Sequence, residues 1–393
     1  MTVMYKEYKC KSMLRMHKYV DNWFWSSATV SPYKACEHAC NYCDGRSKRY
    51  HASEDFDQII HVKINAQDIL KKELDKLFSK QKKVTDFKEG TKIKEKKARP
   101  VIAVSSGISD AYQPVEKKYK LTRRILELLR DYKVPTYVMT KSDLVLRDLD
   151  LLVEIKNMSW CNVSFSLSTI DKKVASIFEP KATTPKKRLE AMKTIAHEGI
   201  LTGVTYMPII PYITDSDDQL KNTISCSKEY GAEYILAGGM TMRDLQAKRF
   251  YEILKMHYPE LIDKYKALYW RGYEPDGKYI SKLYNRVWTL CKKYDIKNYI
   301  PRYIPDVELK KNLETSTMLF LISFFLSLRG EGGHKIRAFN KLAQTIEDMD
   351  ENIEYMYRTG RLKEIKGIGK TTEILITEFL EAKNCEYLKE LMN

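Results

Sequence analysis

Residues 36–43 read Cys-Glu-His-Ala-Cys-Asn-Tyr-Cys and place three cysteines within eight positions of the chain. Three thiolates on one tight loop can bind three irons of a cubane cluster and leave the fourth iron without a protein ligand, open to a bidentate small molecule. A zinc site is the alternative, with His38 or His51 as the fourth ligand, although neither histidine has zinc-finger spacing. The loop therefore predicts metal chemistry, and its spacing favours an iron–sulfur cluster.

Short β-rich runs alternate with amphipathic helical segments in the middle of the chain. The predicted strands are Val101–Ser105, Pro135–Thr140, Cys161–Leu167, Leu201–Met207 and Tyr234–Ala237. The predicted helices are Leu121–Tyr132, Leu146–Ile155, Lys186–His197 and Asp217–Tyr230. This rhythm predicts repeated βα units around a parallel sheet, with the chemistry at the carboxyl ends of the strands.

The charge of the chain is strongly positive. Among 393 residues, 68 are Lys or Arg and 52 are Asp or Glu, so the net charge is +16. Residues 311–393 hold 12 basic and 13 acidic side chains, so the first 310 residues carry the whole positive excess. Such an excess attracts polyanions, nucleic acid first among them, although a lysine-rich proteome would also produce it.

The apolar segments exclude a membrane protein. The longest apolar run, residues 318–328, is far shorter than the ~20 residues of a membrane span. The first eleven residues contain charges but no apolar signal segment, so we expect a cytoplasmic protein.

The cysteine spacing, Tyr42 before the last cysteine and the downstream βα repeats resemble the radical S-adenosylmethionine (SAM) superfamily. The resemblance implies an α/β fold, a partial (β/α)6 TIM-like barrel. It also implies a 4Fe–4S cluster on Cys36, Cys40 and Cys43 whose open iron binds SAM. Reduction of the cluster, by a donor such as ferredoxin or flavodoxin, would cleave SAM to a 5′-deoxyadenosyl radical.

A longer series of motifs over about residues 25–240 resembles the spore photoproduct lyase-like group, often called DNA repair photolyases. The motifs are residues 31–38 (SPYKACEH), 109–116 (SDAYQPVE), 122–123 (TR), 140–142 (TKS), 178–180 (FEP) and 207–211 (MPIIP). The resemblance implies SAM contacts at Ser109, Lys141 and Ser166, and a bidentate grip on the methionine carboxylate by Arg188. Each of the residues Ser109, Lys141 and Arg188 also suits a plain role, as a helix cap, a surface lysine and a solvated arginine.

Two departures from that group bear on the reaction. Gly107 stands where spore photoproduct lyase has its hydrogen-donating cysteine, and Asp44 stands where that enzyme has a tyrosine. Spore photoproduct is therefore not the expected substrate. Tyr42 and Tyr112 are the candidate replacement donors, and both also suit a packing role in a chain with 27 tyrosines.

The C-terminal segment contains a second motif. Residues 362–370 (LKEIKGIGK) precede an apolar-periodic segment, and this pattern predicts a helix-hairpin-helix that binds phosphate through Gly367, Gly369 and Lys370. Together with residues 337–343 (RAFNKLA), the motif resembles the N-terminal helical domain of family X DNA polymerases over about residues 312–393. That resemblance implies DNA binding without sequence specificity; a simple packing hairpin is the alternative.

These patterns predict three regions: an N-terminal extension (1–30), a radical SAM partial barrel (31–300) with a Lys-rich insertion (79–99), and an all-α helix-hairpin-helix domain (311–393). The predicted function is a radical SAM enzyme that repairs a damaged base in DNA or modifies DNA. The alternatives are a radical SAM enzyme that modifies RNA or tRNA, and a DNA-binding protein with a structural or redox-sensing cluster.

Overall fold

The computed structural model describes residues 3–85, 95–105 and 108–392, with side chains described throughout these ranges except at 80–85. The strands of this part of the chain are β1 (Met4–Tyr8), β2 (Arg15–Asp21), β3 (Ser26–Val30), β4 (Tyr33–Lys34), β5 (Ile59–Lys63), β6 (Ile102–Val104), β7 (Thr136–Thr140), β8 (Cys161–Ser166), β9 (Leu201–Ile209) and β10 (Ile235–Gly239).

The first ten helices are α1 (Ala66–Thr85), α2 (Glu116–Tyr119), α3 (Leu121–Asp131), α4 (Leu149–Met158), α5 (Lys172–Phe178), α6 (Pro185–His197), α7 (Asp217–Glu229), α8 (Asp244–His257), α9 (Ile262–Leu268) and α10 (Gly277–Lys293). The last five are α11 (Lys310–Leu328), α12 (Gly333–Asp348), α13 (Ile353–Arg358), α14 (Lys370–Ala382) and α15 (Glu386–Met392). No helix of the described residues is long and apolar enough to cross a membrane.

The main sheet has the strand order β10-β9-β8-β7-β6-β3-β2, and all pairs from β3 to β10 are parallel. Six parallel strands with intervening helices confirm the predicted α/β class and the partial (β/α)6 barrel. Their apolar side chains, such as Val104, Val138, Val163 and Val204, are fully buried. The carboxyl ends of these strands share one edge, which is where the predicted site residues follow them.

The chain divides into two compact units, 1–16 with 28–80 and 101–301, and 17–27 with 81–100 and 302–393. Residues 1–30, predicted as one extension, are shared between the units: Ala28 to Val30 of β3 pair with β6, whereas the ring of Trp23 packs edge-on against Phe324 at 5.0 Å. The second unit contains α11 to α15, so helices dominate the predicted all-α region. Its core includes Phe320 and Phe324 of α11.

The Lys-rich segment 79–99 is described only in part. Its first residues continue α1 to Thr85, and residues 86–94 lie outside the described ranges. The remainder belongs to the second unit, where Lys97 lies 3.1 Å from Asp350 and the amide of Leu309 donates to the carbonyl of Lys96 at 3.0 Å. Lys96 and Lys97 therefore contact other residues of their own unit.

Gly203 permits the close packing of β9 against the segment that leads into β10. A Cβ atom at this position would meet the carbonyl oxygen of Tyr234 at 2.6 Å, and this backbone atom cannot move without breaking the pairing of β9 with β10. We expect Gly203→Ala to lower the free energy of unfolding by about 1–3 kcal/mol, measured by urea denaturation of the apoprotein. The control Gly332→Ala has open space around its Cβ and should change little; equal effects would contradict the prediction.

Candidate active site

The cysteine loop follows β3 and β4, at the carboxyl edge of the main sheet. Ala35 and Ala39 have φ angles of 72° and 55°, a left-handed conformation that non-glycine residues adopt only where the surroundings hold them. The amide of Asn41 donates to the carbonyl of Phe178 at 2.8 Å, and Arg46 Nε donates to the carbonyl of Cys40 at 3.1 Å. Contacts from residues outside the loop therefore hold it in this strained shape.

The three cysteines of this loop form no disulfide, and the charge of one thiolate affects the pKa of another. Burial, followed by the nearby Asp110, Cys40 and Cys43, raises the pKa of Cys36 well above its ordinary value. Burial also raises the pKa of Cys40, to about 12. Thiolates in this buried place need a cation beside them, as bound iron would be.

The donor set of the loop fits a cubane cluster. No trio of His, Cys, Asp and Glu in the described ranges is grouped as one metal ion requires. In a cubane each of the three sulfurs binds a different iron, so the sulfurs stand further apart than around a single ion. Three mutually coupled soft donors on one loop are what such a cluster needs.

Asp110 anchors the first half of the loop. His38 Nε2 lies 3.2 Å from Asp110 Oδ2, and the same carboxylate accepts the amide of Lys141 at 2.7 Å and the hydroxyl of Thr140 at 2.8 Å. Burial raises the pKa of Asp110, but His38 and the amide donors outweigh it, so the pKa lies below its ordinary value. The carboxylate therefore stays charged and joins the loop to the end of β7.

Gln113 connects the loop with Ser109. Its side-chain amide donates to the carbonyl of Ala35 at 3.0 Å and to Ser109 Oγ at 2.9 Å, while its oxygen accepts the amide of Glu37 at 2.8 Å. Gln113 is completely buried. The predicted SAM contact Ser109 thus lies beside the cysteine loop, fixed by a glutamine that the sequence analysis did not select.

Glu179 anchors the second half of the loop. Tyr42 and Ser168 both donate to Glu179 Oε1, Ser168 at 2.6 Å, and Arg188 Nη2 donates to Oε2. Burial raises the pKa of Glu179, but Arg188 and Lys141 outweigh it and lower the pKa to about 2. Glu179 occurs in one of the sequence motifs, yet a single acidic residue gave no signal that it would be buried at the centre of the site.

The structure brings the predicted residues Lys141, Ser166 and Arg188 together around this carboxylate. Lys141 Nζ lies 3.8 Å from Glu179 Oε1 and donates to Ser166 Oγ. Arg188 is fully buried, and its Nη1 donates to the carbonyl of Ser166 at 2.5 Å. The guanidinium therefore already donates hydrogen bonds to Glu179 and to β8, and its bidentate contact with a SAM carboxylate stays a prediction.

The two candidate hydrogen donors lie in different surroundings. Tyr42 shares one hydrophobic cluster with Cys40, whereas Tyr112 belongs to the main core and has Asp148 and Glu116 as charged neighbours. Burial raises the pKa of both phenols, which keeps them protonated. Of the two, Tyr42 is the one that packs with a cysteine of the loop; Gly107 lies outside the described residues.

The charge of Glu179 predicts an acid-sensitive contribution to stability. Its pKa in the folded chain is below the ordinary value of 4.5, so the contribution is complete above about pH 4.5 and is lost as the pH falls towards about 2. We expect Glu179→Gln to leave the buried Arg188 unpaired, which costs about 3–5 kcal/mol at pH 7, and to flatten this pH dependence.

Urea denaturation of the apoprotein between pH 7 and pH 3.5 measures both effects. The control is Glu190→Gln, since Glu190 is an exposed residue of α6. If Glu179→Gln and the control showed the same pH dependence as the unmodified chain, the assigned pKa of Glu179 would be wrong.

Three comparisons relate this chain to known proteins. Residues 30–224 match the radical SAM superfamily. An uncharacterised protein of Methanocaldococcus jannaschii is 31% identical over 234 residues, which cover 59% of this chain and 76% of that protein. An uncharacterised protein of Mycobacterium tuberculosis is 28% identical over 270 residues, which cover 68% of this chain and 74% of that protein.

The fold also resembles a solved structure. A cysteine-to-serine variant of spore photoproduct lyase superposes with a TM-score of 0.51 at 15% identity, over 74% of this chain and 79% of that one. At this identity the likeness shows a shared fold. The matched domain and the archaeal relative establish that the chain belongs to the radical SAM superfamily, whose members use a 4Fe–4S cluster and SAM.

Proposed function

We propose that this radical SAM protein acts on DNA, repairing a damaged base or modifying DNA, with its cluster on Cys36, Cys40 and Cys43. When bound, the reduced cluster supplies the electron that cleaves SAM to a 5′-deoxyadenosyl radical. The chain's own part is to bind and orient the reactants and to keep water out. The burial of Ser109 and Ser166, with the largely covered Lys141, beyond neighbouring strands supports that part.

The observation that carries the DNA assignment is the turn before α14. Gly367 has a φ angle of 102°, which favours glycine, and Gly369 is the residue before the helix begins at Lys370. The amides of residues 370–372 lie in the first turn of α14, where no intrahelical acceptor is available to them. Such a turn supports binding of a DNA phosphate without reading of the sequence.

Ion pairs with acidic residues neutralise Arg358, Arg361 and Lys363 near this turn, so Lys366 and Lys370 carry its remaining positive charge. Glu354 lies 2.9 Å from Arg358, Glu351 lies 2.6 Å from Arg361, and Glu373 lies 3.6 Å from Lys363. Lys366 and Lys370 are exposed, and no ion pair within 4 Å is found for them among the described residues. The motif of residues 362–370 contains one acid, Glu364, whereas Glu351, Glu354 and Glu373 lie outside that motif and pair with these basic residues in the fold.

The chemistry of the cluster distinguishes this function from a DNA-binding protein with a structural cluster. We expect anaerobically reconstituted, reduced protein to give a 4Fe–4S EPR signal that changes on addition of SAM, and to release 5′-deoxyadenosine, faster when damaged DNA is present. Cys40→Ala should lose the signal because it removes one of three ligands, whereas Cys226→Ala, in α7, should keep it. A cluster indifferent to SAM, or turnover stimulated by tRNA but not DNA, would contradict the proposal.

Lys366 and Lys370 predict the ionic part of DNA binding. We expect Lys366→Ala with Lys370→Ala to reduce the slope of log K against log salt concentration by about 2, because each lysine neutralises about one phosphate. Fluorescence anisotropy with labelled duplex DNA at several salt concentrations measures the slope. Arg358→Ala is the matched control, since Glu354 already pairs with Arg358; an equal change of slope would argue against the two-lysine site.

A further inference from the structure

Three aromatic side chains of the first unit are unusually exposed for their type. In the described part of this unit, the aromatic residues exposed by more than a third are Tyr212 (43%), Trp270 (66%) and Tyr273 (42%). Single exposed apolar residues are common, but Trp is highly buried on average. Exposure of three rings therefore needs a reason other than the packing of the fold.

Each of these rings has a cation against it. Arg243 Cζ lies 3.2 Å from the ring centroid of Tyr273, and Arg271 Cζ lies 4.5 Å from that of Trp270. Lys264 Nζ lies 5.9 Å from the ring centroid of Tyr212. We call these three pairs the aromatic rim. Since Trp270 remains 66% exposed, its guanidinium partner leaves most of the ring free for another planar group.

The three pairs lie on segments that contact one another beyond the carboxyl ends of β9 and β10. Tyr212 follows the end of β9, and its ring meets Tyr265 edge-on at 5.7 Å; Tyr265 in turn stacks on Tyr269, the neighbour of Trp270. The amide of Met242, which follows β10, donates to the carbonyl of Tyr273 at 2.8 Å.

The segment that follows β10 contacts the residues directly after the cysteine loop. Asp44, directly after Cys43, accepts the hydroxyl of Thr241 at 3.2 Å. Three residues further, Ser47 Oγ donates to Asp244 at 3.0 Å. Arg243 lies between Thr241 and Asp244 in the chain, so its pair with Tyr273 adjoins the loop, and Trp270 precedes Tyr273 by three residues.

We propose that the aromatic rim binds unpaired nucleotides of a DNA strand, with bases stacked on Trp270 and Tyr273 and phosphates beside Arg243 and Arg271. Aromatic rings alternating with cations are the chemistry that recognises single-stranded nucleic acid, because every base has a face to stack and every nucleotide carries a phosphate. The positive excess of the first 310 residues complements such a strand. This inference rests on the proposed function and specifies the form of DNA that reaches the site.

Fluorescence anisotropy with the full chain and a short labelled single-stranded DNA tests the rim. We expect Trp270→Ala to weaken binding by about 5- to 100-fold, and Trp270→Phe to retain most of the affinity, because the ring is what stacks. Arg271→Ala should lower the salt slope by about 1. The control is Met158→Ala: Met158 is 51% exposed at the end of α4, which leads to the opposite edge of the sheet.

Duplex DNA of the same sequence completes the test. Because its bases are already stacked, Trp270→Ala should change duplex binding little. Unchanged single-strand binding by Trp270→Ala, equal losses on both DNA forms, or tighter binding of single-stranded RNA would overturn the rim proposal. Absence of binding to either DNA form by the unmodified chain would instead overturn the proposed function, so the two failures are distinguishable.

Discussion

The buried ion pair between Glu179 and Arg188 is the interaction on which the arrangement of the site depends. Two charges removed from water gain little net free energy from each other, so such a pair contributes more to orientation than to stability. Here the pair orients two neighbouring elements. Arg188 donates to the carbonyl of Ser166 in β8, and Glu179 accepts the hydroxyl of Tyr42, which lies between two cysteines of the loop. Loss of the pair would therefore remove one contact from the end of β8 and one from the loop.

Asp110 holds the first half of the loop in place, as Glu179 holds the second half. His38 lies between Cys36 and Cys40 and contacts Asp110, while Tyr42 lies between Cys40 and Cys43 and contacts Glu179. Both carboxylates keep their charge because their pKa values lie below the ordinary range. A loop with two non-glycine residues in the left-handed region needs such support, since the strain has to be balanced by contacts elsewhere. Asp110 lies in the connection that follows β6, and Glu179 lies directly after α5, beyond β8, so the connections at the carboxyl edge of the sheet set the position of the three thiols.

Sequence periodicity found the strands β6 to β10 and the helices α3, α4, α6 and α7 between them, because buried strands and amphipathic helices leave regular apolar patterns; it missed the short α2 and α5. It missed β3, whose five residues, Ser-Ser-Ala-Thr-Val, show little apolar patterning and pair with a strand about 75 residues away. The cysteine ligands could be predicted from the sequence because all three lie within eight residues. The roles of Glu179 and Gln113 could not be predicted, because burial of a polar side chain depends on partners distant in sequence. For the same reason the charges of Arg361 and Lys363 could not be judged before folding brought Glu351 and Glu373 beside them.

In the proposed function, recognition of nucleic acid would rest on two physical effects, long-range attraction by charge and stacking on exposed rings. The positive excess acts over about 8–10 Å at physiological salt and attracts any polyanion, so it raises encounter rates without choosing among substrates. Stacking acts only at contact and requires a base that is not already paired and stacked. A radical formed in a buried site can reach a base only after that base leaves the duplex, at a cost of about a few kcal/mol that damage or prior unpairing lowers. In the proposed arrangement, stacking on Trp270 would offset part of this cost, and selection for unpaired nucleotides would then follow from energetics without any contact that reads the sequence.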